Sequence, residues 1–267
     1  MAYHTRFGLE YNPFIKNKAK DVLIETSEYR QCVTRLNHLV NIGGFGLVTG
    51  EAGLGKTSTL RYWTNTLSKS LYDVIYISLS TITVDQFYYI LAEELGLEPE
   101  MKKTKNYKNI QRLIKNIAVE KRKIPVIILD EANYMASSIL NDLKMLFNFD
   151  MDSKDYAVII LAGLPNLSNT LALKSNEPLR QRVVMSYQLD TIKLDEAKDY
   201  VLEKLKQAGC HHEVFTESAL HSITSTANGT LRVINQICNT CLMIADNKEQ
   251  SIINEELVLS AIDEIQI

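Results

Sequence analysis

Glycine and proline are scarce in this 267-residue chain, with 11 and 5 copies. That scarcity argues against flexible linkers and low-complexity tracts, and no internal repeat is present. The four cysteines are scattered and too few for a secreted disulfide scaffold. A reduced, cytoplasmic setting is therefore expected. No apolar run approaches the ~20 residues of a membrane span, and the polar, mixed start Met1–Glu10 carries no signal-peptide pattern. No membrane association is expected. An excess of charge of one sign is also missing, since 29 basic and 32 acidic residues leave a net charge of −3. Bulk charge gives no reason to expect nucleic acid, so such a site would need a local basic patch. What remains is 46% hydrophobic and 23% charged, ordinary for a globular protein. The length suits one large or two small domains.

Five apolar, β-rich runs stand out: Phe45–Thr49, Val74–Ser78, Val126–Leu129, Val158–Ala162 and Val183–Tyr187. Several are almost continuously hydrophobic, as strands buried on both faces are. Helix-period stretches alternate with them, at Thr57–Leu67, Asp85–Leu95, Tyr107–Val119 and Ile139–Phe147. The alternation predicts an α/β fold with a parallel sheet. After about Leu189 the strand pattern stops. Asp195–Ala208, Thr216–Ala227, Leu231–Ala245 and Asn254–Ile265 read as helices, with Thr216 and Asn254 placed as N-caps before acidic first turns. The expected organisation is a core over 1–190 and a small helical lid over 191–267, with nucleotide between them.

Gly50-Glu51-Ala52-Gly53-Leu54-Gly55-Lys56-Thr57 fits the phosphate-loop pattern GxxxxGK[ST], placed after a buried strand and opening a helix. Glycines there let backbone N–H groups turn inward to cradle phosphate oxygens. The following helix, which starts through Ser58, presents its positive end to the same anion. Lys56 is expected to reach the β- and γ-phosphates of ATP, and Thr57 to offer its hydroxyl to Mg²⁺. Val126–Leu129 then delivers an acidic pair, Asp130-Glu131, to the carboxyl edge of the sheet, where ligands of open α/β sheets bind. Asp130 is placed to hold Mg²⁺ through water and Glu131 to orient the attacking water. The expected activity is hydrolysis of ATP. The run Val74–Ser78 lies between the two motifs in the chain, as in the additional-strand branch of P-loop proteins.

With these motifs the sequence resembles the AAA+ ATPases. Within them it is most similar to the bacterial group of ExeA/GspA-type ATPases and transposition regulators (Mu B protein, IstB, TniB, TnsC). Phe7-Gly8-Leu9-Glu10-Tyr11-Asn12-Pro13-Phe14, Ile124–Asn133 and Ala162-Gly163-Leu164-Pro165-Asn166-Leu167 carry the subgroup likeness. The resemblance implies further roles. Arg180 or Arg182, in Glu177-Pro178-Leu179-Arg180-Gln181-Arg182, would be an arginine finger acting on a neighbouring subunit's nucleotide. Arg232, in Gly229-Thr230-Leu231-Arg232, would be the sensor-2 arginine. The sensor-1 position at the end of the fourth strand falls on Leu164, where a polar residue is usual, with Asn166 as substitute. Phe14 and Ile15 would pack on adenine, Asn12-Pro13 fixing the turn.

Met101–Lys108 is the densest basic stretch, with Lys102, Lys103, Thr104, Lys105 and Lys108 as candidate phosphate contacts on a loop. In the resembling transposition regulators this segment faces double-stranded DNA inside a helical oligomer. The implied function is an ATP-dependent regulator that self-associates on duplex DNA and presents it to a transposase. An ExeA-like secretion or signalling scaffold and a helicase-loader-type ATPase are the alternatives. Cys238 and Cys241 form a CxxC with Cys210-His211-His212 upstream, but the pair lies on the apolar face of a helical pattern, where small buried cysteines belong.

Overall fold

The computed structural model describes residues 6–15, 23–78, 81–150 and 154–265. The chain divides into two compact units. One comprises Gln31–Ala52 and Lys56–Leu189; the other comprises Met1–Arg30, Gly53–Gly55 and Asp190–Ile267.

The first unit is a five-stranded parallel sheet with helices between its strands. The strands are β1 (Gly44–Thr49), β2 (Tyr72–Ser78), β3 (Ile124–Asp130), β4 (Val158–Gly163) and β5 (Val183–Gln188). Their order across the sheet is β2-β3-β4-β1-β5, with all pairings parallel. The central strands β1 and β4 are buried along their whole length, and in β3 only Ile124 is exposed. That burial is why these runs read as unbroken hydrophobic sequence. Each fully buried Ile, Leu or Val contributes about 1.5–3 kcal/mol relative to exposure. The strand that separates the two nucleotide motifs in space is β4, which pairs with both β1 and β3. The strand that separates them in the chain, β2, lies at the sheet edge. The insertion expected from the sequence thus exists, but a different strand fills it.

The helices are α1 (Ser27–Ile42), α2 (Lys56–Thr66), α3 (Val84–Glu94), α4 (Lys103–Val119), α5 (Ser137–Leu146), α6 (Asn166–Ala172) and α7 (Glu177–Arg180). Thr83 opens α3 with a capping box, exchanging bonds with Gln86. The helix expected from Tyr107 begins four residues earlier, so the lysine stretch is not a loop. Its start is set by Asn106, which is 1% exposed. Its amide accepts the Glu100 N–H and donates to the Glu100 carbonyl, both at 2.8 Å. A side-chain clamp replaces the acidic cap that the sequence lacks.

The second unit packs α8 (Leu194–Gln207), α9 (Glu217–Ala227), α10 (Leu231–Asn247) and α11 (Glu255–Ile265) around its own core. Thr216 caps α9, accepting the Ala219 N–H, and Asn254 caps α11 through the Leu257 N–H. The opening segment joins this core: Phe7, Leu9 and Phe14 are buried in it. Among the described residues no helix is long and apolar enough to cross a membrane.

Candidate functional site

The turn after β1 places the phosphate loop at the carboxyl edge of the sheet. Gly53 and Gly55 have φ of 91° and 93°, a left-handed conformation that a side chain would strain. A Cβ on Gly53 would also lie 2.8 Å from the Arg232 Cβ, so the close approach itself requires glycine. The Arg232 N–H donates to the Gly53 carbonyl at 3.1 Å, within the helical unit, while the Arg232 side chain is exposed. Leu54 is buried, whereas Glu51, Ala52 and Ser58 are exposed and leave the rim of the loop open.

Lys56, the first residue of α2, is 8% exposed. Its ammonium donates to the carbonyls of Gly50 at 2.7 Å and Glu51 at 3.0 Å. The loop therefore wraps a buried cation, and a phosphate is the ligand chemistry that such a charge suits. On the neighbouring edge, the Thr57 hydroxyl donates to Asp130 Oδ2 at 2.7 Å. Asp130 is 2% exposed, and its other oxygen accepts the Glu131 N–H at 2.9 Å. A hydroxyl and a carboxylate oxygen in contact beside a lysine form a hard-oxygen donor set that fits Mg²⁺. Glu131 lies at φ 57°, ψ 31°, in the left-handed region where a non-glycine residue is strained. Strain of this kind concentrates at functional sites.

Two residues missed in the sequence complete this edge. Tyr76 on β2 donates its hydroxyl to Asp130 Oδ2 at 2.8 Å. Partial burial, and then the Asp130 carboxylate it bonds, push its phenol well above its usual pKa, so it stays a donor. Asn133 holds the end of β4, its Oδ1 accepting the Leu164 N–H at 3.0 Å. Asn166 is exposed at the start of α6. The end of β4 thus has a polar side chain, Asn133, contributed from the β3 side, while Asn166 stands exposed two residues beyond Leu164. The adjacent stretch Ile124–Asn133 was the available signal.

Three further expectations change. Phe14 is 6% exposed and sits edge-on to Phe215, 6.5 Å between ring centroids, as part of the helical core. Its ring is committed to packing, while Ile15 is exposed. The Asn12 turn does form, with Asn12 Oδ1 accepting the Phe14 N–H at 2.9 Å. Arg182 caps the end of α5. Its guanidinium donates to the carbonyls of Lys144 at 3.1 Å and Phe147 at 3.1 Å, and to the Asp155 carboxylate at 3.0 Å. It also lies over the Phe45 ring. Arg180 instead exposes 51% of its side chain, with a 3.9 Å ion pair to Glu177. In the lysine stretch, Lys103 pairs with Asp142 and lies over the Tyr88 ring, and Lys105 pairs with Glu100 at 3.1 Å. Lys102 and Lys108 are exposed, and Thr104 is exposed in the first turn of α4. Cys238 and Cys241 are fully buried on α10, and burial pushes the Cys241 thiol up to about 12.

A family model described as an AAA domain matches residues 41–171, which span the phosphate loop, the acidic pair and β4. This stretch is similar to an AAA domain, and the fold is that of the solved structures it matches. The likeness extends beyond residues 41–171. The chain is 30% identical over 249 residues to the General secretion pathway protein A of Aeromonas hydrophila, covering 91% of this chain. It spans 45% of that relative's length. Among solved structures, the Aeropyrum pernix ORC2 protein, in ADPNP-ADP complexes, matches with a TM-score of 0.70 at 16% identity. That match covers 95% of this chain and 71% of the other. The Aeropyrum pernix ORC1 protein in complex with DNA matches with a TM-score of 0.67 at 18% identity, covering 95% and 68%.

Proposed function

We propose that this chain binds ATP with Mg²⁺ and hydrolyses it, using the nucleotide state to control self-association on duplex DNA. The observation that carries the ATPase assignment is the 2.7 Å contact of Thr57 with Asp130 beside the buried Lys56 ammonium. Loop N–H groups and Lys56 would hold the β- and γ-phosphates, exchanging the Gly50 and Glu51 carbonyls for phosphate oxygens. Thr57 and Asp130 would hold the metal, which supplies charge neutralisation on the phosphates. Glu131 would orient a water in line with the γ-phosphorus. The water oxygen forms the new P–O bond, the bond to the β-phosphate oxygen breaks, and ADP and phosphate leave. Arg180 is our arginine finger, because its side chain is exposed and its surface ion pair holds it weakly. Arg232 would be the sensor-2 arginine, as the resemblance implies.

The finger assignment separates two neighbouring arginines by experiment. Arg182→Ala removes charged hydrogen bonds to the end of α5 and is expected to destabilise the fold by about 2–3 kcal/mol in thermal unfolding. Arg180→Ala is expected to leave stability within about 0.5 kcal/mol and to lower hydrolysis by about 10³-fold. Mixing it with Lys56→Ala protein, which keeps the finger but loses the phosphate lysine, should restore activity. No recovery on mixing would rule out a finger in trans.

For the biological role, we favour a regulator that assembles on double-stranded DNA in its ATP form and delivers that DNA to a transposase. The resemblance to transposition regulators supports it, as do a structural neighbour solved with DNA and the exposed Lys102 and Lys108 at the head of α4. The direct test is DNA retention and particle size on linear duplex with no nucleotide, with ADP, and with a non-hydrolysable ATP analogue. Retention and large assemblies only with the analogue are expected, weakening with salt by about 0.9 log units per tenfold salt for each phosphate contacted. Lys102→Ala with Lys108→Ala should weaken retention more than Lys103→Ala with Lys105→Ala, whose ammonium groups are already paired. A second role, an ATPase of a secretion machine, is favoured by the 30% identity to the General secretion pathway protein A. Absence of DNA retention in every nucleotide state would select it.

A further inference from the structure

We propose that Tyr76 is a positioning residue for the metal-binding carboxylate, making the affinity for Mg²⁺-nucleotide depend on a phenol from the edge strand. The inference rests on the ATP-site assignment above and adds a residue that neither nucleotide motif contains.

The geometry follows from the sheet. In the parallel register of β2 with β3, Tyr76 stands opposite Ile128 and Ser78 opposite Asp130. Side chains two residues apart on a strand share a face. Tyr76 and Asp130 therefore lie on the same face, one strand apart. From there the phenol spans to Asp130 Oδ2 at 2.8 Å. The same oxygen accepts the Thr57 hydroxyl at 2.7 Å, and Oδ1 accepts the Glu131 N–H at 2.9 Å. The carboxylate thus has donors on both oxygens and a fixed plane.

These donors differ in what they do once nucleotide binds. Thr57 is the phosphate-loop hydroxyl expected to serve the metal. Its bond to Asp130 is then lost or shared. The Tyr76 and Glu131 bonds are independent of that change, so they hold the carboxylate in place. Glu131 N–H is backbone and fixed by the chain, which leaves Tyr76 as the side chain that sets this orientation. Supporting contacts behind a metal ligand typically govern about 10- to 100-fold in metal affinity. Tyr76 is 43% exposed, so its hydroxyl can be removed without opening a core cavity.

The test uses the full chain, a fluorescent ATP analogue, and MgCl₂ against EDTA. The quantity read is the gain in nucleotide affinity on adding Mg²⁺. Tyr76→Phe is expected to keep metal-free affinity within about twofold and to reduce the Mg²⁺ gain by about tenfold, the size of one hydrogen bond to a charged group. Asp130→Asn should abolish the gain, and adding Tyr76→Phe to it should change nothing more, since the two residues act as one unit. Mn²⁺ in place of Mg²⁺ gives a resonance spectrum of the bound ion, expected to broaden in Tyr76→Phe. An unchanged Mg²⁺ gain in Tyr76→Phe overturns the proposal. So does an equal loss of metal-free affinity, or a Tyr76 effect that persists in the Asp130→Asn background, either of which marks a purely structural role. Failure of the unaltered protein to gain affinity with Mg²⁺ removes the ATP-site assignment and this proposal together.

Discussion

Replacing Glu131 by glutamine is expected to lower ATP turnover by at least about 10²- to 10⁴-fold while leaving ATP affinity within about threefold. Glutamine keeps the shape of the side chain and its ability to orient a water. It cannot take up the proton released as water attacks. In the proposed site, binding would depend instead on Lys56 and the loop N–H groups, and the substitution leaves the Lys56 contacts to the loop carbonyls in place. The backbone change is also small, since glutamine meets the same strain at φ 57° as the native Glu131. Single-turnover phosphate release, measured beside equilibrium binding of a fluorescent ATP analogue, separates the two effects. A loss of turnover with binding retained marks an interaction made in the transition state. Turnover that is unchanged would show that the water is positioned from elsewhere, with Asn133 the next residue to test.

The second large effect concerns stability. Gly229→Ala is expected to destabilise the helical unit by about 3 kcal/mol or more, combining left-handed strain with overpacking. Gly229 has φ 72°, and a Cβ there would lie 2.2 Å from the Ile192 carbonyl oxygen and 2.9 Å from the Ile192 nitrogen. Both neighbours are backbone, so no side-chain rotation relieves the clash. The Ile192 N–H also donates to the Gly229 carbonyl at 3.2 Å, and that bond would be pulled apart. The expected fall in melting temperature is about 6–12 °C, read by calorimetry or circular dichroism. A fall of less than about 2 °C would mean that the segment after β5 moves aside at little cost, given the same scaling of temperature with free energy.

The sequence alone determined the parallel α/β class, the five strands to within about two or three residues at each end, and the placing of the glycine-lysine loop after β1 and the acidic pair at the end of β3. These were legible because each rests on local information. Strands buried on both faces must be continuously apolar, and a phosphate loop needs glycines and a lysine at fixed spacing. The caps at Thr216 and Asn254 were equally local, one side chain meeting a backbone N–H three residues on.

The tertiary structure decided what depends on residues distant in the chain. The order β2-β3-β4-β1-β5 sets β4 between the motif strands, and chain order could not reveal that. The lysine stretch became helix because Asn106 clamps Glu100 and Lys103 meets Asp142. Arg180 and Arg182, two residues apart and identical in type, were divided by packing: one is exposed, the other is spent on carbonyls of α5. Phe14 went into the helical core because Phe215, far along the chain, offers it an apolar edge. Tyr76 reaches the Asp130 carboxylate only because the register of two strands sets it there. Pattern in a sequence records what a residue needs from its neighbours along the chain, whereas partners across space are chosen by the fold, and the fine chemistry of this site is held by such partners.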